Sequence, residues 1–193
     1  MNDGIYQPFD EGRFQKFTEG MNRLHDTATK SGAKILHATP PTYDRLGPKE
    51  FYDAVLERYS EWLLSRRADG WDVVDLHGPM KEYLTRERRK NPKYVLTGDG
   101  VHPNDLGHWI MAKQILLHLG AEDVAKAETS LAMVSTHPHG PAILKAVQER
   151  QALVRNAWLT ASRHKRPGVP NGLPLDEARA KAAVIDGQIR KMQ

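Results

Sequence analysis

The chain contains no cysteine. Disulfides, thiolate nucleophiles and cysteine metal ligands are therefore excluded from its chemistry. It also has no run approaching the roughly 20 apolar residues that a membrane-spanning helix requires, so no membrane partner is expected. Met1-Asn2-Asp3-Gly4 lacks a basic stretch followed by an apolar one, which is not the pattern of a secretory signal. As the chain stands, a cytoplasmic location is expected, and the compartment is open if the native start lies upstream of Met1. Aromatic residues make up only 7% of the 193 positions, and hydrophobic residues 39% against 27% charged. That composition belongs to a globular protein on the polar side, long enough to bury a core.

The net charge of +4 is modest. Its basic residues gather in two places, Arg86, Arg88, Arg89, Lys90 and Lys93, and then Arg163, Lys165 and Arg166. Neither cluster is interleaved with aromatics for base stacking, and no nucleic-acid motif accompanies them. Both read as solvated surface, with attraction of anionic ligands as the alternative, and no nucleic-acid partner is expected.

Taken in order, residues 1–9 form a loop and Asp10 is a good N-cap. Phe14, Phe17, Met21, Leu24 and Ala28 then recur at helical spacing. A short strand is expected over 33–38, stopped by Pro40-Pro41. Pro48 opens a second helix, whose stripe of Phe51, Val55, Tyr59 and Trp62 reads as core and which Gly70 closes. A second strand follows over 71–76, a helix over 80–89, and an apolar helix from about 109 to 119. This alternation is that of an α/β parallel-sheet unit, although only two strands are evident. Beyond Gly120 the composition turns helical, over 121–134, 141–165 and 175–192, with a breaker-rich linker at 166–172. The expected division is an α/β domain over 1–120 and a helical extension over 121–193 that packs on it or joins another subunit.

The stretch with chemical content is Asp99-Gly100-Val101-His102-Pro103-Asn104, followed by Gly107-His108. An acid three residues before a histidine, in a Gly- and Pro-punctuated turn, can set a carboxylate against an imidazole. The carboxylate fixes the tautomer and stabilises the imidazolium, freeing the other ring nitrogen to act as general base. His108 reads as a helix-start residue. His137 and His139 flank a proline but lack the third and fourth ligands a metal usually needs, so no metal and no cofactor is expected.

These residues resemble the SGNH, or GDSL-type, hydrolases over about residues 1–120. Asp99-x-x-His102 is similar to that family's last block, which supplies the catalytic acid and base. Asn2-Asp3 is similar to the end of its Gly-x-Asn-Asp block, where the Asn side chain donates to the oxyanion. The strand ending in Pro-Pro fits as well. The resemblance implies a flavodoxin-like parallel sheet, here truncated, and hydrolysis of a small-molecule carboxylic ester. Asp99 and His102 would be catalytic, and Asn2 would bind the oxyanion. The departure is the family's Gly-Asp-Ser nucleophile block, which has no counterpart here. None of Ser31, Ser60, Ser65, Ser130, Ser135 and Ser162 stands in that context. Either His102 activates water, or a hydroxyl such as Ser135 is brought to it. The alternative is an inactive remnant serving as a binding or assembly module. Without the family's first strands, 33–38 becomes a sheet edge, and Phe14, Phe17, Tyr59 or Trp62 would lie exposed. A homo-oligomer is the expected remedy.

Overall fold

The computed structural model describes residues 6–165 and 167–193; Asn2 and Arg166 lie outside them. Contacts divide the chain into two units, Met1–Lys126 and Ala127–Gln193. The first is mixed α/β and mostly helical, and the second is helical.

In the first unit, α1 spans Glu11–Lys30, and the Asp10 side chain accepts from the Arg13 amide at 2.7 Å, as an N-cap should. α2 covers Tyr52–Ser65 and runs into a 3-10 turn at Arg66–Asp69. Gly70 ends that turn at φ 80°, a left-handed value that glycine accepts without strain. α1 lies half-buried against α2 through aromatic rings. Phe14 and Phe17 sit 5.2 and 4.6 Å from Tyr59, and Phe17 is 5.6 Å from Trp62. The rings expected to be left exposed are thus spent on one another, and Tyr59 is buried. Leu24 turns to solvent instead, and Phe51 is also largely exposed.

The sheet has two parallel strands, β1 (Leu36–Ala38) and β2 (Asp72–Val74), with His37 opposite Val73. Both are shorter than the sequence pattern suggests, because each finds one partner strand among the described residues. β2 is otherwise occupied at Val73, whose carbonyl accepts from the Arg67 guanidinium at 3.0 and 2.7 Å. At the carboxyl ends of the strands a single hydroxyl ties the layers together. Thr39 Oγ1 accepts from the Leu76 and His77 amides at 2.7 and 2.9 Å and donates to Asp75 Oδ1 at 2.9 Å. It thereby caps α3 (His77–Arg88) from another part of the chain. α4 follows at Asp105–His118, starting earlier than expected because Asn104 caps it by accepting from the Gly107 amide at 3.0 Å.

The region expected to be helical over 121–134 is broken. It forms a 3-10 turn at Glu122–Lys126 and then α5 at Ser130–Val134. Thr129 restarts the helix by accepting from the Ala132 amide at 3.0 Å, which fixes Thr129 in an extended conformation. In the second unit α6 (Gly140–Ala161) packs on α7 (Leu175–Met192). Ala157, Ala178 and Ala182 are buried, small enough for close packing, and Arg150 pairs with Asp186 at 2.6 Å. No helix among the described residues is long and apolar enough to cross a membrane.

Candidate active site

The 97–104 turn is built by its own backbone. Thr97 and Pro103 form an antiparallel bridge, and the Asn104 amide donates to the Leu96 carbonyl at 2.7 Å, closing the loop at its base. At its tip Asp99 Oδ1 accepts from the Val101 and His102 amides at 2.9 and 2.8 Å. That Asx-type arrangement leaves Oδ2 free to meet His102 Nδ1 at 2.6 Å. The His102 hydrogen bond, with the two amides behind it, holds the Asp99 carboxyl well below the usual carboxylate range. Asp99 therefore stays ionised at neutral pH and fixes Nδ1 as the donor. Nε2 has no partner among the described residues, and the His102 side chain is 84% exposed.

The turn is docked on the chain at three places. Val101 packs against the buried cluster of Tyr43, Tyr52, Val55, Leu56 and Tyr59. Gly100 accepts from the Asp44 amide at 3.0 Å, with φ 91°. A Cβ on it would lie 2.5 Å from Arg45 Cβ, so glycine is required there both by conformation and by space. Beneath the turn, Asp44 Oδ2 accepts from the Leu96 and Thr97 amides, the latter at 3.1 Å, while Oδ1 pairs with the Arg88 guanidinium. The Asp44 side chain has no exposed surface. Burial pushes its carboxyl up, against the pull of the two amides and of Arg88.

Asp44 and Arg88 escaped the sequence reading. The sequence places Arg88 in a solvated basic cluster, yet it is half-buried against Asp44 and also donates to the Tyr94 carbonyl at 3.1 Å. Its neighbours Arg86 and Lys90 do behave as surface residues, around Glu87. The only available signal was the position of Asp44 just after Pro40-Pro41, in a polar segment with no other assigned role.

Of the residues singled out, Asp99 and His102 come together. Asn2 lies outside the described residues. His108 is an exposed residue in the first turn of α4, its amide donating to the Asn104 carbonyl. Ser135 is the C-cap of α5, in the second unit. His137 and His139 are exposed, the His139 amide donating to His137 Nδ1 at 3.2 Å. No group of three or more potential metal ligands exists among the described residues. Comparison with protein-family models, with curated proteins and with solved structures returns no match for this chain.

Proposed function

We propose that this protein hydrolyses short-chain or aryl carboxylic esters, with His102 as general base oriented by Asp99, on an α/β unit like that of the SGNH hydrolases. One observation carries the reading: His102 Nδ1 lies 2.6 Å from Asp99 Oδ2, while Nε2 is left open to solvent. In this scheme a water molecule attacks the ester carbonyl carbon as Nε2 removes its proton. Asp99 stabilises the imidazolium that forms. The tetrahedral intermediate collapses, the acyl C–O bond breaks, and the leaving oxygen takes the proton back from Nε2. No serine is needed. Aryl esters suit the scheme because an aryloxide departs with little help from an acid. A homo-oligomer that covers the outer edge of β1 belongs to the same proposal.

A second reading is an inactive relative that serves as an oligomeric binding or assembly module. The exposure of the pair favours it: Asp99 is 56% and His102 84% exposed, whereas preorganised electrostatic catalysis draws its strength from water-excluded sites. Hydrolysis of p-nitrophenyl acetate by wild type, His102→Ala and His139→Ala separates the two. The His139 variant controls for the background rate of any exposed imidazole. Loss of activity in the His102 variant alone supports the esterase. Equal rates in all three overturn it and leave the assembly reading, which sedimentation then tests by the presence of an oligomer.

A further inference from the structure

A separate cluster sits on the face of the sheet covered by α1. His25 Nδ1, from α1, lies 3.1 Å from His37 Nε2, on β1. Both imidazoles stack on Trp71, with ring centroids 4.1 and 4.5 Å away. His37 is buried and His25 half-buried. The N-terminal half of α1 is anchored by Phe14 and Phe17 on Tyr59, and Met21 reaches the cluster of Leu63, Trp71 and Val73. Beyond Met21, Leu24 is exposed and Ala28 is half-buried, and His25 supplies a side-chain hydrogen bond from the helix to the sheet. We infer that the His25–His37 pair is an acid-sensitive latch, holding the C-terminal half of α1 on the sheet and releasing it when both rings are protonated.

The argument is one of hydrogen count. With no added proton, one ring donates and the other accepts. With one added proton, the link survives as imidazolium to imidazole, stacked on an indole face that favours the cation. A second proton sets N–H against N–H across nitrogens 3.1 Å apart, and puts positive charge on two rings whose centroids are 5.4 Å apart. His37 takes that proton reluctantly: burial first, and then the charge of His25, lower its pKa from 6.5. The other charged groups near the pair do not reverse this. Asp72 favours the charged form of His37, but its carboxylate is engaged by His118 of α4 at 2.5 Å. The Arg66 guanidinium lies 5.2 Å from the Trp71 ring and opposes added positive charge. Arg67 is tied to the Val73 carbonyl, and Arg23 and Asp26 on α1 are exposed. A group whose folded pKa is lowered in this way contributes stability that is complete above 6.5 and lost as pH falls through the folded value. That loss falls on the contact that holds the end of α1.

Amide hydrogen exchange of the full chain, read by mass spectrometry between about pH 8 and about pH 4.5 and corrected for intrinsic rates, tests the latch. In wild type the 24–30 segment is expected to lose protection on the order of tenfold at the acid end, while the segment around Phe14 and Phe17 keeps its own. In His25→Phe, which retains a ring on Trp71 but cannot be charged, the 24–30 segment should stay protected over the same range. His25→Gln serves the same purpose if the Phe variant does not melt cooperatively. The latch is overturned if wild type keeps full protection down to the acid limit. It is equally overturned if the uncharged variant loosens as wild type does, or if the whole first unit opens together.

Discussion

Replacing Asp44 tests what holds the 97–104 turn in place. Its carboxylate is buried, takes two backbone amides and pairs with Arg88. Two accounts of its worth compete. If the ion pair dominates, any neutral side chain should be costly, on the order of 3–5 kcal/mol for breaking a buried pair. Two observations argue otherwise. Burial raises the Asp44 carboxyl, so desolvation outweighs the favourable partners of the charge. The Arg88 side chain also keeps 27% of its surface exposed and can turn to water when its partner is lost. The amides cannot, because Leu96 is fully buried and Thr97 nearly so. Asp44→Ala orphans both of them at about 1–3 kcal/mol each, or about 2–6 kcal/mol together. Asp44→Asn keeps an acceptor oxygen against them, and its loss should be less than half as large. Urea denaturation measures both, as a fall in midpoint with the slope unchanged. The sign with pH follows from the same raised carboxyl. An acid whose folded pKa lies above its unfolded 3.8 loses stabilising power as pH rises through the folded value. The advantage of wild type over Asp44→Asn should therefore shrink from acid toward neutral pH. The reasoning is refuted if Asn is as damaging as Ala, or if that advantage grows toward neutral pH.

Three further outcomes are expected. Gly100→Ala puts a Cβ 2.5 Å from Arg45 Cβ at φ 91°; it should lower the melting temperature by the equivalent of about 1–2 kcal/mol or more and reduce any His102-dependent rate. Asp99→Asn should leave the melting temperature at neutral pH nearly unchanged, because the pair is exposed, while slowing His102-dependent ester hydrolysis; a variant as fast as wild type would remove Asp99 from the chemistry. In the second unit, a Cβ on Gly172 would meet the backbone of Asn156 and Ala157 at 2.2 Å. Gly172→Ala should loosen the chain entering α7, and limited proteolysis would read this as faster cleavage between α6 and α7.

Local pattern and long-range contact fared differently in the sequence. α7 was legible from end to end because its signals are local: proline before it, acidic residues in its first turn, alanines at helical spacing. α1 is legible for the same reason at Asp10, yet its periodicity also puts Leu24 on the apolar face, where the side chain is exposed, since periodicity does not reveal where the surface beneath a helix ends. The Asp99–His102 contact was also legible, because three residues of turn geometry suffice to make it. Asp44 was not. Its partners Arg88, Leu96 and Thr97 lie 44 to 53 positions away, and no local spacing announces them. The same holds for His25 and His37, which meet only because a helix crosses a strand. Exposure of Phe14, Phe17 and Trp62 was expected from a missing layer. Their packing on one another and on Tyr59 is a tertiary outcome of how α1 lies on α2.

The three bonds of Thr39 also constrain the order in which the first unit can form. β1 and β2 are parallel, so their pairing needs a crossover, and Thr39 and Asp75 stand 36 positions apart. Closing a loop of that length from a flexible chain costs about 3 kcal/mol of entropy before any contact across it is made. A ladder of three residues and one shared hydroxyl is a small return on that cost. The loop shortens, however, if α2 is already helical, because a helix rises only about 1.5 Å per residue and delivers its far end to the sheet as a rigid rod. If α2 with its aromatic face forms first, it serves as the nucleus of this unit. The strands and the Thr39 junction close behind it, and a Thr39→Val change should speed unfolding more than it slows folding.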